Sequence, residues 1–141
     1  WVAANGIKPD QFLDLGVVPN ALLAPILREA DAAIFPNRCE GGTNLVAMEA
    51  MACGVPTILS ANTGHLDLTR DGAALALTDQ RAIASAPGWR ESNIEEILAA
   101  LETLYTDRAR AREIGAAGAK LLAGLTWAKT AVEIKRIISA L

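Results

Sequence analysis

Two short apolar runs on either side of an almost uncharged stretch limit most strongly what this chain can fold into. The runs span residues 32–35 and 56–60. Between them, residues 44–53 are typical of a helix that follows Gly41-Gly42 and stops at Gly54. A strand, a helix and a strand with short connections form a βαβ unit, whose strands are parallel. The predicted fold class is therefore α/β, with a parallel sheet flanked by helices.

The remaining elements place most of the sheet in the first half and helices in the second. Residues 12–15 and 73–77 are predicted strands, and a helix capped by Asn20 is predicted to run to about residue 30. Residues 78–90 look irregular, and Ser92 and Glu95 have the spacing of a capping box that opens a helix. Asp107 and Thr126 are predicted to cap two further helices.

The last predicted helix carries an apolar stripe, which we interpret as packing against a core or another domain. We expect Trp127, its first residue, to anchor the helix. The stripe consists of Val132, Ile134, Ile137, Ile138 and Leu141.

Glu49 is the unusual residue of the central stretch. From Gly41 through Leu66 it is the only formally charged residue, counting His65 as neutral. A helix that is apolar on all sides is usually buried, and a buried carboxylate without partners costs on the order of several kcal/mol. We therefore expect Glu49 to be shielded from water, and to accept hydrogen bonds either from the protein or from a polar ligand.

The residues before the helix favour a phosphate site. Gly41 and Gly42 allow close approach of the backbone to a ligand and permit positive φ. The helix N-terminus that follows presents free N–H groups and a positive dipole end. Asn44 is the expected N-cap, and a lone histidine, His65, in the loop after the second strand is not predicted to be a base.

Composition excludes several classes of function. With 141 residues, 52% hydrophobic and 21% charged, the chain has the size of one domain and enough apolar residues for a core. A net charge of −3 and 4% aromatic residues argue against a nucleic-acid partner. Cys39 and Cys53 do not have the spacing of a metal site or a redox motif, so a reduced, cytoplasmic setting is expected. No apolar run is long enough to span a membrane.

Residues 40–58, which read EGGTNLVAMEAMACGVPTI, resemble the signature of the GT-B glycosyltransferases of the group 1 or family 4 type. The resemblance extends from about Gly16 to Leu77. It implies a Rossmann-like C-terminal domain that binds the nucleotide-sugar donor of a retaining hexosyltransferase. It also implies a donor substrate and no metal or other cofactor.

The same resemblance implies roles for individual residues. Glu49 would accept hydrogen bonds from the ribose hydroxyls, and Glu40, the candidate catalytic residue, would approach the hydroxyls of the donor sugar. Val17 and Val18 would flank the base. The backbone N–H groups that would meet the diphosphate or the sugar belong to the turn and first helical residues: Gly41, Gly42, Thr43, Asn44, Leu45 and Val46.

The chain also departs from the family pattern. Eight residues separate Glu40 from Glu49, one more than the family usually has. The family's upstream Arg and Lys, which neutralise the diphosphate, have no matching pair before Gly16. We interpret residues 1–141 as a donor-binding domain truncated at its N-terminal side, with the acceptor bound by a missing domain.

Several alternatives remain open at this stage. Glu40 could instead be a surface charge paired with Arg38, and Glu49 a carboxylate satisfied by backbone N–H groups. The chain as a whole could be a GT-B-like module that binds a nucleotide or a protein partner without turnover, or part of a sugar-nucleotide epimerase of the same fold.

Overall fold

A three-stranded parallel sheet forms the centre of the molecule. The computed structural model describes residues 2–140. The strands are β1 (Ala33–Phe35), β2 (Thr57–Ser60) and β3 (Leu75–Leu77), in the order β1-β2-β3, with Ile34 opposite Ile58 and Leu59 opposite Ala76. The parallel βαβ unit and the α/β fold class predicted from the sequence are confirmed.

Residues 2–140 contain five α-helices, and helices dominate the second half of the chain, as the sequence indicated. They are α1 (Asn20–Leu27), α2 (Leu45–Ala52), α3 (Ile94–Thr106), α4 (Arg108–Ala123) and α5 (Trp127–Ile138). Asp107 and Thr126 cap α4 and α5 by accepting hydrogen bonds from the N–H groups of Arg110 and Lys129. Within residues 2–140 none of the helices combines the length and the apolar character needed to traverse a bilayer.

The central strand β2 is buried along its whole length because both faces of the sheet are covered. Leu59 packs with Ala47 and Met51 of α2 on one face, and Ile58 packs with Leu104 of α3 and Ile114 of α4 on the other. Successive side chains of a strand point to opposite faces, so these two residues divide the core into two clusters.

Two glycines bring α4 into close contact with its neighbours. A Cβ atom on Gly115 would lie 2.2 Å from the carbonyl oxygen of Gly54, just beyond the C-terminus of α2. A Cβ atom on Gly118 would lie 3.0 Å from the carbonyl oxygen of Ala73. No side chain fits at Gly115, so the backbone of α4 packs directly against the backbone just beyond the C-terminus of α2.

The strand predicted at residues 12–15 is wrong. These residues are exposed and form no strand, and β1 has no neighbour on its outer side within residues 2–140. The apolar run of residues 32–35 forms this edge strand, and Ile34 is 37% exposed. A short apolar run cannot show whether an edge strand is covered, because coverage depends on distant segments.

The segment predicted to be irregular contains an antiparallel hairpin. Its strands are β4 (Gln80–Ala82) and β5 (Arg90–Ser92), with Gln80 opposite Ser92. Ser92 therefore belongs to a strand, and its hydroxyl lies 2.7 Å from the hydroxyl of Ser60. The predicted capping box is wrong, because Asn93 caps α3 by accepting a hydrogen bond from the N–H of Glu95.

Helix α5 lies outside the core. Trp127 is 90% exposed, so the expectation that it anchors the helix is wrong. The described members of the apolar stripe are exposed as well: Val132, Ile134, Ile137 and Ile138. The fifth member, Leu141, lies outside the described residues.

Candidate functional site

The N-terminus of α2 lies at the edge of the sheet where the parallel strands end. Asn44 has an extended backbone, and its Oδ1 accepts a hydrogen bond of 3.0 Å from the N–H of Ala47. This confirms Asn44 as the N-cap. Ligand sites in open α/β sheets lie outside the carboxyl ends of the strands. The N-terminus of α2, which follows β1, and the loop that follows β2 both lie at this edge of the sheet.

Six consecutive backbone N–H groups at this helix end are free of protein partners. In the described part of the chain, no N–H of residues 41–46 donates a hydrogen bond. All of these residues except Asn44 are exposed. The free N–H groups and the positive end of the helix dipole together favour the binding of an anion.

Gly41 and Gly42 lie in this row, and neither has the positive φ that the sequence suggested. A Cβ atom on either residue would meet nothing within 4 Å. The two glycines therefore relieve no strain in the protein itself. Their effect is to leave the N–H groups uncovered.

Glu40 is half-buried and faces the same helix end. Its Oε1 accepts hydrogen bonds from the side-chain amides of Asn37 (2.6 Å) and Asn44 (3.3 Å). Among residues 2–140 its Oε2 accepts none. The suggested pairing with Arg38 is wrong, because Arg38 pairs with Glu91. One oxygen of Glu40 is thus oriented by the protein and the other is available to a ligand.

The loop after β2 packs against Glu40 and the glycine turn. The hydroxyl of Thr63 accepts a hydrogen bond of 2.7 Å from the N–H of Glu40. The N–H of Gly64 lies 3.4 Å from the carbonyl oxygen of Glu40. A Cβ atom on Gly64 would lie only 1.6 Å from the carbonyl oxygen of Gly42, so only glycine fits here.

His65 is completely buried, at 0% exposure. Its Nδ1 lies 3.0 Å from the carbonyl oxygen of Ser60, and its Nε2 lies 3.1 Å from the side-chain nitrogen of Asn44. A carbonyl oxygen can only accept and an amide nitrogen can only donate. The partners therefore assign a neutral ring with the proton on Nδ1 and the lone pair of Nε2 facing Asn44.

Glu49 occupies a different environment from the one predicted. Helix α2 buries one side through Ala47, Ala50 and Met51, and Glu49 lies on its exposed side. The prediction of a carboxylate shielded from water is wrong, because a short helix on a three-stranded sheet is covered on one face only. An exposed carboxylate keeps its contact with water, so Glu49 does not require a partner within the protein.

The position of Glu49 is nevertheless distinctive. It lines a groove of about 210 Å³ between α1 and α2. No described residue donates a hydrogen bond to its carboxylate or pairs with it, so the alternative of a carboxylate satisfied by backbone N–H groups is also wrong. The other lining residues are Asn20, Leu23, Ala24, Leu27, Ala52 and Cys53.

Val17 and Val18 precede α1 in an extended segment. Val17 is fully exposed and Val18 is half-buried. Neither lines the groove, although Asn20, two residues beyond Val18, does. The structure thus brings Glu40, the glycine turn and Asn44 together, and it places Glu49 about one turn further along the same helix.

The β4–β5 hairpin supports the loop that carries Glu40. The carboxylate of Glu91 pairs with both Arg38 and Arg81, and the N–H of Arg90 donates to the carbonyl of Arg38 over 2.9 Å. Hydrogen bonds from Arg81, and then from Arg38, hold the pKa of Glu91 below its ordinary value of 4.5. Sequence reasoning missed this support because the pairing residues are far apart in the chain.

A larger cavity of about 490 Å³ lies beside this hairpin. None of the predicted site residues lines it, and Arg81 and Glu91 on its wall already pair with each other. Size alone therefore does not identify the site in this molecule. The free N–H groups and unpaired carboxylate oxygens lie at α2.

Several known proteins are similar to this chain in sequence. The sequence profile of the family described as glycosyl transferases group 1 matches residues 2–107. D-inositol 3-phosphate glycosyltransferases of Arthrobacter sp. (strain FB24) and Kineococcus radiotolerans are 33% and 34% identical over 109 and 114 residues. These matches cover 77% and 81% of this chain but 23% and 25% of the relatives, so the chain spans about a quarter of their length.

The fold also occurs in solved structures. Sucrose-phosphate synthase from Thermosynechococcus elongatus superimposes with a TM-score of 0.77 at 23% identity. The superposition covers 99% of this chain and 32% of that protein. At this identity the likeness establishes the fold alone.

Proposed function

Because this chain belongs to the group 1 glycosyltransferases, we propose that it is the part of such an enzyme that holds the nucleotide-sugar donor. The reaction would transfer a hexosyl group from that donor to an acceptor with retention of configuration. One observation carries the proposal: six free N–H groups of residues 41–46 lie next to Glu40, which has one free carboxylate oxygen.

The diphosphate of the donor would bind at the N-terminus of α2. An anion placed there would receive hydrogen bonds from free N–H groups of residues 41–46 and would be stabilised by the helix dipole. As the glycosidic bond breaks, negative charge grows on the departing diphosphate. Donors already oriented toward that position stabilise this charge without reorganisation, and the proposal assigns this role to peptide groups, with no metal ion or other cofactor required.

The sugar and the nucleoside would be held by the two carboxylates. The free Oε2 of Glu40 would accept a hydrogen bond from a hydroxyl of the donor sugar, next to the diphosphate. Glu49, in the groove between α1 and α2, would accept hydrogen bonds from the ribose hydroxyls, since a carboxylate can accept two donors at once. Val17 and Val18, at the start of α1, would flank the base.

A titration of the chain with UDP-, GDP- and ADP-hexoses, followed by NMR or calorimetry, tests the proposal. We expect one of these ligands to saturate the chain and to shift the amide resonances of residues 41–46. E49A should weaken this binding by about tenfold or more, because hydrogen bonds to a charged acceptor are lost.

E102A provides the matched control, because Glu102 is exposed on α3 and lies outside the groove. It should leave the affinity unchanged. Absence of saturation with all three ligands at millimolar concentration would overturn the proposal and would favour a module that binds a protein partner. Binding that E49A and E102A affect equally would remove Glu49 from the site.

A further inference from the structure

The buried imidazole of His65 is linked to the candidate site through one side chain. The side-chain amide of Asn44 makes three hydrogen bonds within the protein. Its Oδ1 accepts from the N–H of Ala47, and its Nδ2 donates to Nε2 of His65 and to Oε1 of Glu40. The same side chain thus contacts the helix end, the buried ring and the carboxylate. No described side chain other than Asn44 and Asn37 donates to Glu40.

The ring fixes the orientation of this amide. Nδ1 of His65 donates to the carbonyl of Ser60, at the end of β2, which leaves Nε2 as an acceptor directed at Asn44. An amide rotated by half a turn would place its oxygen against that lone pair and its nitrogen against the N–H of Ala47. Both contacts would be repulsive, so the ring and the helix cap select one orientation, and in it Nδ2 reaches Glu40.

The link between Asn44 and Glu40 is the longest contact of the set, at 3.3 Å. The contact between Asn44 and His65 is shorter, at 3.1 Å, and is fully buried. Removing the acceptor at Nε2 would leave the amide nitrogen directed mainly by Glu40, itself half-exposed. The carboxylate would then be held at Oε1 mainly by Asn37, over 2.6 Å, and its free oxygen could turn about that single contact.

We propose that His65 is a positioning residue that orients the Glu40 carboxylate toward the donor sugar by way of the Asn44 amide. The ring acts as a neutral hydrogen-bond acceptor and takes no proton from a substrate, because it is completely buried. The inference rests on the proposed function for the identity of the ligand. It goes beyond it by assigning a residue that does not touch that ligand.

The inference predicts a selective loss of affinity. In H65L the nucleotide-hexose should bind about tenfold more weakly, because the hydrogen bond that its sugar makes with Glu40 is lost. The free nucleoside, which meets Glu49 and the start of α1, should bind as in the wild type. The measurement is the ratio of the two Kd values, with the hexose nucleotide that the wild type binds best. A variant that is merely less folded would weaken both ligands equally.

Substitutions of Asn44 separate the bridge from the helix cap. Serine is as good an N-cap as asparagine but offers no amide nitrogen, so N44S should reproduce the selective loss seen in H65L. The double variant H65L/N44S should lose no more than either single variant, because both break the same link. H65Q should restore much of the affinity, since its amide can donate to Ser60 and accept from Asn44. Additive losses, or no rescue by H65Q, would overturn the inference.

A ligand-free measurement tests the network if the proposed function fails or if H65L does not fold. In the wild-type chain, ring ¹⁵N shifts should show a neutral His65 protonated at Nδ1, and N44S should change the ¹³C shift of the Glu40 carboxyl group. The opposite tautomer, or a Glu40 shift that does not respond to N44S, would refute the positioning role. If no nucleotide sugar binds the wild type while both signals appear, the proposed function fails and the link from His65 to Glu40 stands.

Discussion

At the residue scale, two carboxylates of one short segment show how differently the same group can be placed. Glu40 is half-buried, with one oxygen held by two asparagine amides and the other free. Glu49 is exposed in a groove, with no protein partner among the described residues. Their proposed roles follow from this difference, because an oriented oxygen can select a sugar hydroxyl, whereas an open carboxylate can accept the paired hydroxyls of a ribose.

A prediction at this scale concerns Gly64. G64A should lower the free energy of unfolding by about 2 kcal/mol, because its Cβ atom would lie 1.6 Å from the carbonyl oxygen of Gly42 and the two loops must separate. Urea denaturation measures this change. The same variant should weaken nucleotide-sugar binding, since Glu40 and the glycine turn are held by the loop that contains Gly64.

G41A is the matched control, because its Cβ atom meets nothing within 4 Å and its φ is not positive. It should change the free energy of unfolding by less than about 0.5 kcal/mol, while the methyl group hinders access to the N–H groups. A G64A protein as stable as the wild type would show that the loop after β2 does not pack against Gly42 as described.

At the element scale, the position of the candidate site depends on contacts between α2, α4 and the β4–β5 hairpin. Helix α2 contributes its N-terminus, and α4 supports its other end through the close contact at Gly115. The β4–β5 hairpin holds the Glu40 loop by an ion-paired carboxylate and a backbone hydrogen bond. The hairpin therefore has a structural role in the site although none of the proposed ligand contacts comes from it.

This role predicts a pH dependence. The pKa of Glu91 is lower in the folded chain than its ordinary value of 4.5, because Arg81 and Arg38 donate hydrogen bonds to its charged form. Its contribution to stability is therefore fully present above pH 4.5 and is lost as the pH falls through the lowered value. E91Q should be less stable than the wild type at pH 7, and the difference should shrink below pH 4.5.

Chemical denaturation of both proteins across pH 3–7 measures this difference. In a background where Gln replaces both Arg38 and Arg81, the substitution of Glu91 should have no pH-dependent effect. A difference between wild type and E91Q that is constant with pH, or that grows in acid, would contradict the assigned ion pairs.

At the scale of the whole molecule, the chain presents its candidate site on an open surface. The residues of the glycine turn are exposed, and the groove beside Glu49 is open to solvent. The apolar stripe of α5 and the outer edge of β1 are uncovered within residues 2–140. The interpretation of residues 1–141 as a truncated donor-binding domain stays a prediction, as does the binding of the acceptor by another domain.

This exposure predicts that the chain by itself binds a donor but transfers little sugar. Fast transfer requires an acceptor held in contact with the sugar and water kept away from it. Incubation with the best-binding nucleotide-hexose and an alcohol acceptor, followed by product analysis, should give no transfer above the rate without protein. Turnover at about 1 s⁻¹ or faster, the range of ordinary enzymes, would contradict the prediction.

Residue patterns alone were enough to predict the βαβ unit, most of the helix caps and the family. The caps at Asn44, Asp107 and Thr126 depend on hydrogen bonds to the third residue along the chain, and the structure confirms these three. The cap predicted at Asn20 is wrong, because Asn20 is the first residue of α1 and no side chain caps this helix. The βαβ unit followed from two apolar runs and a helix stop. The motif of residues 40–58 indicated the glycosyltransferase family, which the matching profile confirms.

Residue patterns do not show which of these residues are buried or which are in contact, and the folded arrangement answers both questions. The exposure of Glu49 depends on what lies over α2, which no pattern within the helix records. The contacts of Asn44 with His65 and of Ser60 with Ser92 join residues 21 and 32 positions apart. Local propensity acts over three or four residues. Burial and long-range pairing depend instead on which distant segments pack against the small sheet, and a short sequence pattern does not contain that information.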